Sequence, residues 1–97
     1  MSFYSRSRIA KLLEIDEGFL TSLESEEIIE IDAPEEADGE YSERMLERVR
    51  VAHELVSELD VNLPGVAIIV RMREQMFTLR SDLERSLREL RDRLEEE

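Results

Sequence analysis

The sequence predicts a mainly α-helical fold: a helix-turn-helix unit, a small wing, and a long C-terminal helix that forms a coiled coil in a homodimer. Three observations lead there. Two short apolar-faced helices are joined by only a residue or two around Ile15. An acidic, turn-rich segment follows them, bounded by Ile28-Ile29-Glu30-Ile31 and by Tyr41. Past Pro64, a narrow apolar seam runs along a helix that is otherwise charged. The division expected is a helix-turn-helix domain over residues 1–63 and a dimerisation helix over residues 64–97.

The first helix is predicted from about Ser5 to Glu14, capped by Ser5 or Ser7, because a hydroxyl before the first turn accepts from its free N–H groups. Ile9, Leu12 and Leu13 have the i, i+3, i+4 spacing of a buried face. The second helix starts at the N-cap Asp16 and continues through Glu24, with Phe19, Leu20 and Leu23 as its apolar side. Ile28 to Ile31 is β-branched and reads as a short strand. Asp32 to Glu40 is polar, with Pro34 and the turn dipeptide Asp38-Gly39, and Tyr41 is expected to return to that strand and close the wing. Ser42 caps a third helix whose buried face is Met45, Val49, Ala52, Val56 and Leu59, ending near Asp60.

Pro64 suits the first turn of a fourth helix, where a missing N–H costs nothing. Val66, Ile69 and Val70 lead into Met72, Met76, Leu79, Leu83, Leu87, Leu90 and Leu94. These seven advance 22 residues in six steps, 3.67 per step, close to a straight helix and longer than the 3.5 of a left-handed supercoil. Glu84 with Arg88, and Glu89 with Arg93, are expected as i, i+4 ion pairs. One apolar seam on a charged helix meets one partner helix, and the third helix is too short to cover it, so the seam is assigned to a homodimer.

The 97 residues carry a net charge of −12. Between Glu14 and Glu43 there are 13 acids and no lysine or arginine, while the remainder balances 12 acids against all 13 cations. Such a block repels phosphate backbones and attracts basic protein surfaces. The second helix, Asp16 to Glu24, has no cation and no amide side chain to reach phosphates or base edges. Arg6, Arg8 and Lys11 are the only cations nearby.

The composition also excludes chemistry. Without cysteine there is no disulfide, thiolate metal site or thiol nucleophile, and one histidine, His53, builds neither a histidine metal site nor a catalytic triad. Three scattered glycines make no phosphate loop. The acids from Asp32 to Glu40 lack the alternating ligands and the bidentate glutamate of an EF-hand. No apolar run approaches the ~18 residues of a membrane helix, and no signal-peptide stretch follows the first methionine, so a cytoplasmic location is expected. No enzymatic activity, cofactor, metal, nucleic acid or small-molecule substrate is expected.

The order of parts resembles the MerR-like winged helix-turn-helix fold from Ile9 to about Phe77. Where that family carries Arg-Tyr-Tyr-Glu and then an apolar pair, this chain reads Thr21-Ser22-Leu23-Glu24 and Ile28-Ile29: the DNA-facing arginine and tyrosines are gone. Tyr41-Ser42-Glu43 is similar to the family's lead into helix three. Leu59-Asp60-Val61-Asn62-Leu63-Pro64-Gly65-Val66 resembles the junction of the chaperone-modulator branch, the CbpM-like proteins. That resemblance implies a non-enzymatic protein that binds the J domain of a DnaJ/CbpA-like co-chaperone and hinders its work with a DnaK-type chaperone. A J domain presents a basic helix, so the acidic block is the expected contact, led by Glu24, Glu26, Glu27 and Glu30. Two other readings use the same parts: a DNA-binding transcriptional regulator, and an adaptor whose coiled coil is the functional element.

Overall fold

The structure is a computed structural model, and it describes residues 2–96. Its order is β1 (Phe3–Tyr4), α1 (Arg6–Leu13), α2 (Glu17–Ser25), β2 (Tyr41–Ser42), α3 (Glu43–Leu59) and α4 (Leu63–Glu96). Each short helix begins on the cap its sequence offers. Ser5, Asp16 and Ser42 sit in extended backbone and accept from Arg8, Gly18 and Met45 N–H groups. At the start of α4 the Asn62 side chain accepts from the Gly65 N–H at 2.8 Å.

The wing differs from the expected hairpin. Ile28 to Ile31 is not a strand. The chain closes α2 by returning the Ile28 N–H to the Leu23 carbonyl at 2.9 Å, and both Ile28 and Ile29 are buried. Two consecutive inward residues break the alternation a strand requires. Tyr41 pairs instead with the N-terminal strand: Phe3 lies opposite Ser42 and Tyr4 opposite Tyr41, antiparallel. The intervening loop is tied down by Asp32, whose carboxylate accepts from the Ser42 N–H at 2.8 Å and its hydroxyl at 2.5 Å. Gly39 lets the loop lie against β1. A methyl there would overlap the Tyr4 carbonyl carbon and lie 2.6 Å from the Tyr4 nitrogen and 2.7 Å from that of Ser5.

One core joins these parts. Ile9, Leu20, Leu23, Tyr41, Met45, Val49, Ala52 and Val66 are fully buried within it. Leu13, Phe19 and Val56 pack against it. Two residues assigned to buried faces lie outside: Leu12 is exposed because α1 turns inward on Ile9 and Leu13, and Leu59 because the last turn of α3 runs past the body. The first turns of α4 belong to this core through Leu63, Val66, Ala67 and Val70.

A polar clamp fixes α4 to α3. Arg48 donates to both oxygens of Glu74, at 2.7 and 2.6 Å, and to the Ile28 carbonyl at 3.0 Å. Arg44 adds a third bond to Glu74 at 3.0 Å. Bidentate, charge-assisted pairs of this kind are stronger than neutral hydrogen bonds. The Arg48 hydrogen bonds, with Arg44 behind them, lower the Glu74 carboxyl to about 2. Beyond this clamp α4 continues alone. At 34 residues it is about 51 Å long. The radius of gyration is accordingly 17.3 Å, against about 12–13 Å for a compact chain of this length.

Two outcomes test this architecture. A carboxyl depressed in the folded state stabilises above its unfolded pKa, and that contribution is lost as pH falls through the folded one. Urea titrations of the native chain and Glu74→Gln should therefore differ by about 2 kcal/mol at pH 7, and the gap should close between pH 4.5 and 2. Gly39→Ala should cost on the order of 3 kcal/mol in the same assay, since backbone rather than a movable side chain opposes the new methyl.

Candidate functional site

The surface formed by α1, α2 and the wing loop is organised by Arg6. Its position in the first turn of α1 directs the side chain across α2 toward β2. One guanidinium nitrogen pairs with Glu24 and donates to the Tyr41 hydroxyl at 3.2 Å. The other donates to the Thr21 hydroxyl at 2.7 Å and the Glu17 carbonyl at 3.3 Å. Tyr41 in turn donates to Glu24 at 2.7 Å. Burial, partly offset by Arg6, pushes the Tyr41 hydroxyl up from its usual pKa, so it stays a donor. The Arg6 backbone N–H completes the set on Glu40 at 3.1 Å, tying α1 to the end of the wing loop.

This network changes the role of one expected contact residue. Glu24 is half-buried and satisfied from within the protein, holding α1, α2 and β2 together. Glu26, Glu27 and Glu30 are exposed. Glu26 and Glu27 border a shallow depression of about 220 Å³ that also touches Arg48, Arg71 and Glu74. Of the 13 acids between Glu14 and Glu43, only Glu24 and Glu40 are half-buried; the other eleven face solvent.

The outer face of α2 carries no charge of its own beyond Glu17. Thr21, Ser22 and Ser25 turn their hydroxyls back onto the carbonyls of Glu17, Gly18 and Thr21. These groups are therefore engaged with their own helix instead of projecting as base-reading donors. Nor are the neighbouring cations all free. Arg6 is consumed internally, and the Arg8 guanidinium lies 4.9 Å from the centroid of the Tyr4 ring. Lys11 remains exposed on α1. His53 is half-buried on α3, meeting the Phe19 ring edge-on at 5.9 Å.

The proposed seam residues Met72, Met76, Leu79, Leu83, Leu87, Leu90 and Leu94 are all exposed, each with more than half of its surface free. They lie away from the face of α4 that packs on α3. The expected Glu84–Arg88 and Glu89–Arg93 pairs are absent among the described residues. Glu84 pairs with Arg80 at 3.3 Å and Asp82 with Arg85 at 3.1 Å. On a fully solvated helix the competing rotamers differ little in energy.

Sequence reasoning missed the Arg6–Glu24–Tyr41 network and the Arg48–Glu74 clamp. Their members lie 17 to 35 residues apart, and no local spacing links them. Three acids in left-handed backbone were also missed: Glu14, Glu27 and Asp60, with φ of 55°, 59° and 54°. Each follows a helix, where glycine or asparagine is the usual residue.

Two helices joined by a tight turn, a looped wing beside a short sheet, and a following helix define a winged helix-turn-helix protein. A family model described as MerR HTH family regulatory protein matches residues 5–92. The chain therefore belongs to the MerR helix-turn-helix family of regulatory proteins. Comparison with curated proteins and with solved structures found no match. No group of three or more His, Cys, Asp or Glu side chains among the described residues is placed to hold a metal ion. No described helix is long and apolar enough to cross a membrane.

The network yields a double-mutant prediction. Glu24→Met alone leaves Arg6 and the Tyr41 hydroxyl half-buried without their acceptor and should cost about 2–3 kcal/mol of stability. Arg6→Met with Glu24→Met should recover most of that loss, because the desolvated charge goes with its partner. Chemical denaturation of the two single variants and the double variant measures the coupling.

Proposed function

We propose that this protein is a non-enzymatic modulator that binds a cationic protein surface through the acidic flank of α2 and the wing loop. We further propose that its partner is the J domain of a DnaJ/CbpA-like co-chaperone, whose work with a DnaK-type chaperone it hinders. The observation that carries the reading is the eleven exposed acids between Glu14 and Glu43, with no cation in that stretch. Complementary charge speeds the encounter with a basic helix and fixes its orientation. Apolar residues at the rim then supply contact that charge alone does not, and Ile31 is 64% exposed in the middle of the acidic loop.

The family description favours a second reading, a transcriptional regulator on DNA. Its electrostatics are unfavourable: exposed acids flank α2 and run along the wing loop, the outer face of α2 offers no cation, and Arg6 is already bonded inside the domain. In a third reading α4 is itself an adaptor and the body only a support. Loss of function on removing residues 79–97, with J-domain binding intact, is the mark of that role.

Because Glu24 is structural, the test uses Glu26, Glu27 and Glu30. Calorimetric titration of a purified J domain should show binding that weakens as salt rises. The triple substitution of these three residues to Gln should reduce the affinity about tenfold and flatten the salt dependence. Unaltered affinity in a folded triple variant would place the contact elsewhere.

A further inference from the structure

Past the Glu74 clamp, the face of α4 that packs on α3 loses its cover. Phe77 follows Val66 by eleven residues and Val70 by seven, which places it within about 20° of both around the helix. The core would claim such a position if α3 reached it. Instead Phe77 stands beside the first turn of α3, near Arg44, with 53% of its surface exposed. Met72, Leu79 and Leu83 of the seam lie roughly 120–160° away around α4, so a helix covering the seam leaves this ring open.

The corner where α4 leaves the body is lined with arginine. Arg44, Glu47, Arg73, Glu74, Phe77 and Thr78 wall a depression of about 490 Å³. Arg73, Met76, Phe77 and Arg80 wall a second of about 310 Å³. The Arg73 guanidinium lies 4.9 Å from the centroid of the Phe77 ring. Both glutamates of the corner are already occupied. Glu74 takes Arg48 and Arg44, while Glu47 takes Arg50 and, at 3.4 Å, Arg73. Glu43, the next acid on α3, takes the Tyr4 hydroxyl at 3.2 Å. The arginines are not used up in the same way. Arg44 gives one N–H to Glu74 and Arg73 gives one to Glu47, out of the five a guanidinium carries. In a chain of net charge −12, this corner keeps spare cationic donors around an exposed aromatic ring. Arginine and aromatic side chains are the residues that most often anchor protein interfaces.

We propose that this corner docks an acidic segment of another protein, one that also carries an apolar or aromatic side chain. Carboxylates of that segment take the spare Arg44 and Arg73 donors as charge-assisted bonds, and its apolar side chain lies on Phe77. Arg80 adds a third cation, since its pair with Glu84 at 3.3 Å is solvated and exchanges at little cost. Charge selects a short peptide over a nucleic acid. Glu26 and Glu27 share a depression with Arg71 and Glu74, so a phosphate backbone crossing the corner meets them within about one Debye length. The site lies outside the wing loop and does not depend on which partner the acidic flank of α2 binds.

The test is a titration of the full, isotope-labelled chain by NMR. The probe is a synthetic peptide with a central phenylalanine flanked on each side by three glutamates. Amide and arginine side-chain signals of Arg44, Arg73, Phe77 and Arg80 should shift with a Kd on the order of 10–100 μM that weakens as salt rises. Phe77→Ala should weaken binding about tenfold and keep the native spectrum of the body, whose core it does not join. Arg73→Gln should do the same, with Glu47 still held by Arg50. The peptide with glutamine in place of glutamate should not bind. Absence of shifts at these residues up to millimolar peptide would overturn the proposal. So would equal binding of the glutamine peptide, or tighter binding of a single-stranded oligonucleotide at the same residues.

Discussion

A single guanidinium sets the limits of this protein. Arg6 is the cation placed to bridge α1, α2 and β2, and it does so with Glu24, Tyr41 and Thr21 around it. Two consequences follow from the same bonds. The helix-turn-helix angle is fixed by a partly desolvated ion pair, which is costly to break from one side. The charge is also spent inside the domain, so the surface outside it keeps its acids uncompensated. Stability and surface potential here come from one arrangement.

The second clamp separates the molecule into a body and a rod. Arg48 and Arg44 hold Glu74, anchoring α4 just where its packed face ends. N-terminal to that point α4 is core on one side; C-terminal to it the helix is solvated all round. The acidic surface and the apolar stripe therefore occupy different parts of the chain and can act independently. Acid is even tolerated where helix geometry disfavours it. Glu14, Glu27 and Asp60 adopt left-handed backbone beyond helix ends, and their charge opposes the helix dipole there.

Much of this was legible in the sequence because it is local. Ser5, Asp16, Ser42 and Pro64 mark helix starts through chemistry confined to one turn, and the structure begins its helices within a residue of them. Periodicity located Ile9, Leu20, Leu23, Met45 and Val49 for the same reason. The wing was misread because β-branched residues suit a buried turn as well as a strand; only the return of Ile28 to Leu23 distinguishes them. The strand Phe3–Tyr4 left no signal at two residues, since its existence depends on Tyr41 and on Gly39 lying flat against it. Glu24 looked like a surface acid because its partner Arg6 sits 18 residues earlier.

The central proposal is that the acids beside α2 and along the wing loop keep this domain from approaching a nucleic acid. Fluorescence anisotropy of labelled duplex DNA at low ionic strength tests it most directly, because screening is weakest and any phosphate attraction is greatest there. The account predicts no change in anisotropy up to high micromolar protein. Tight, sequence-selective binding that fades as salt is added would contradict it.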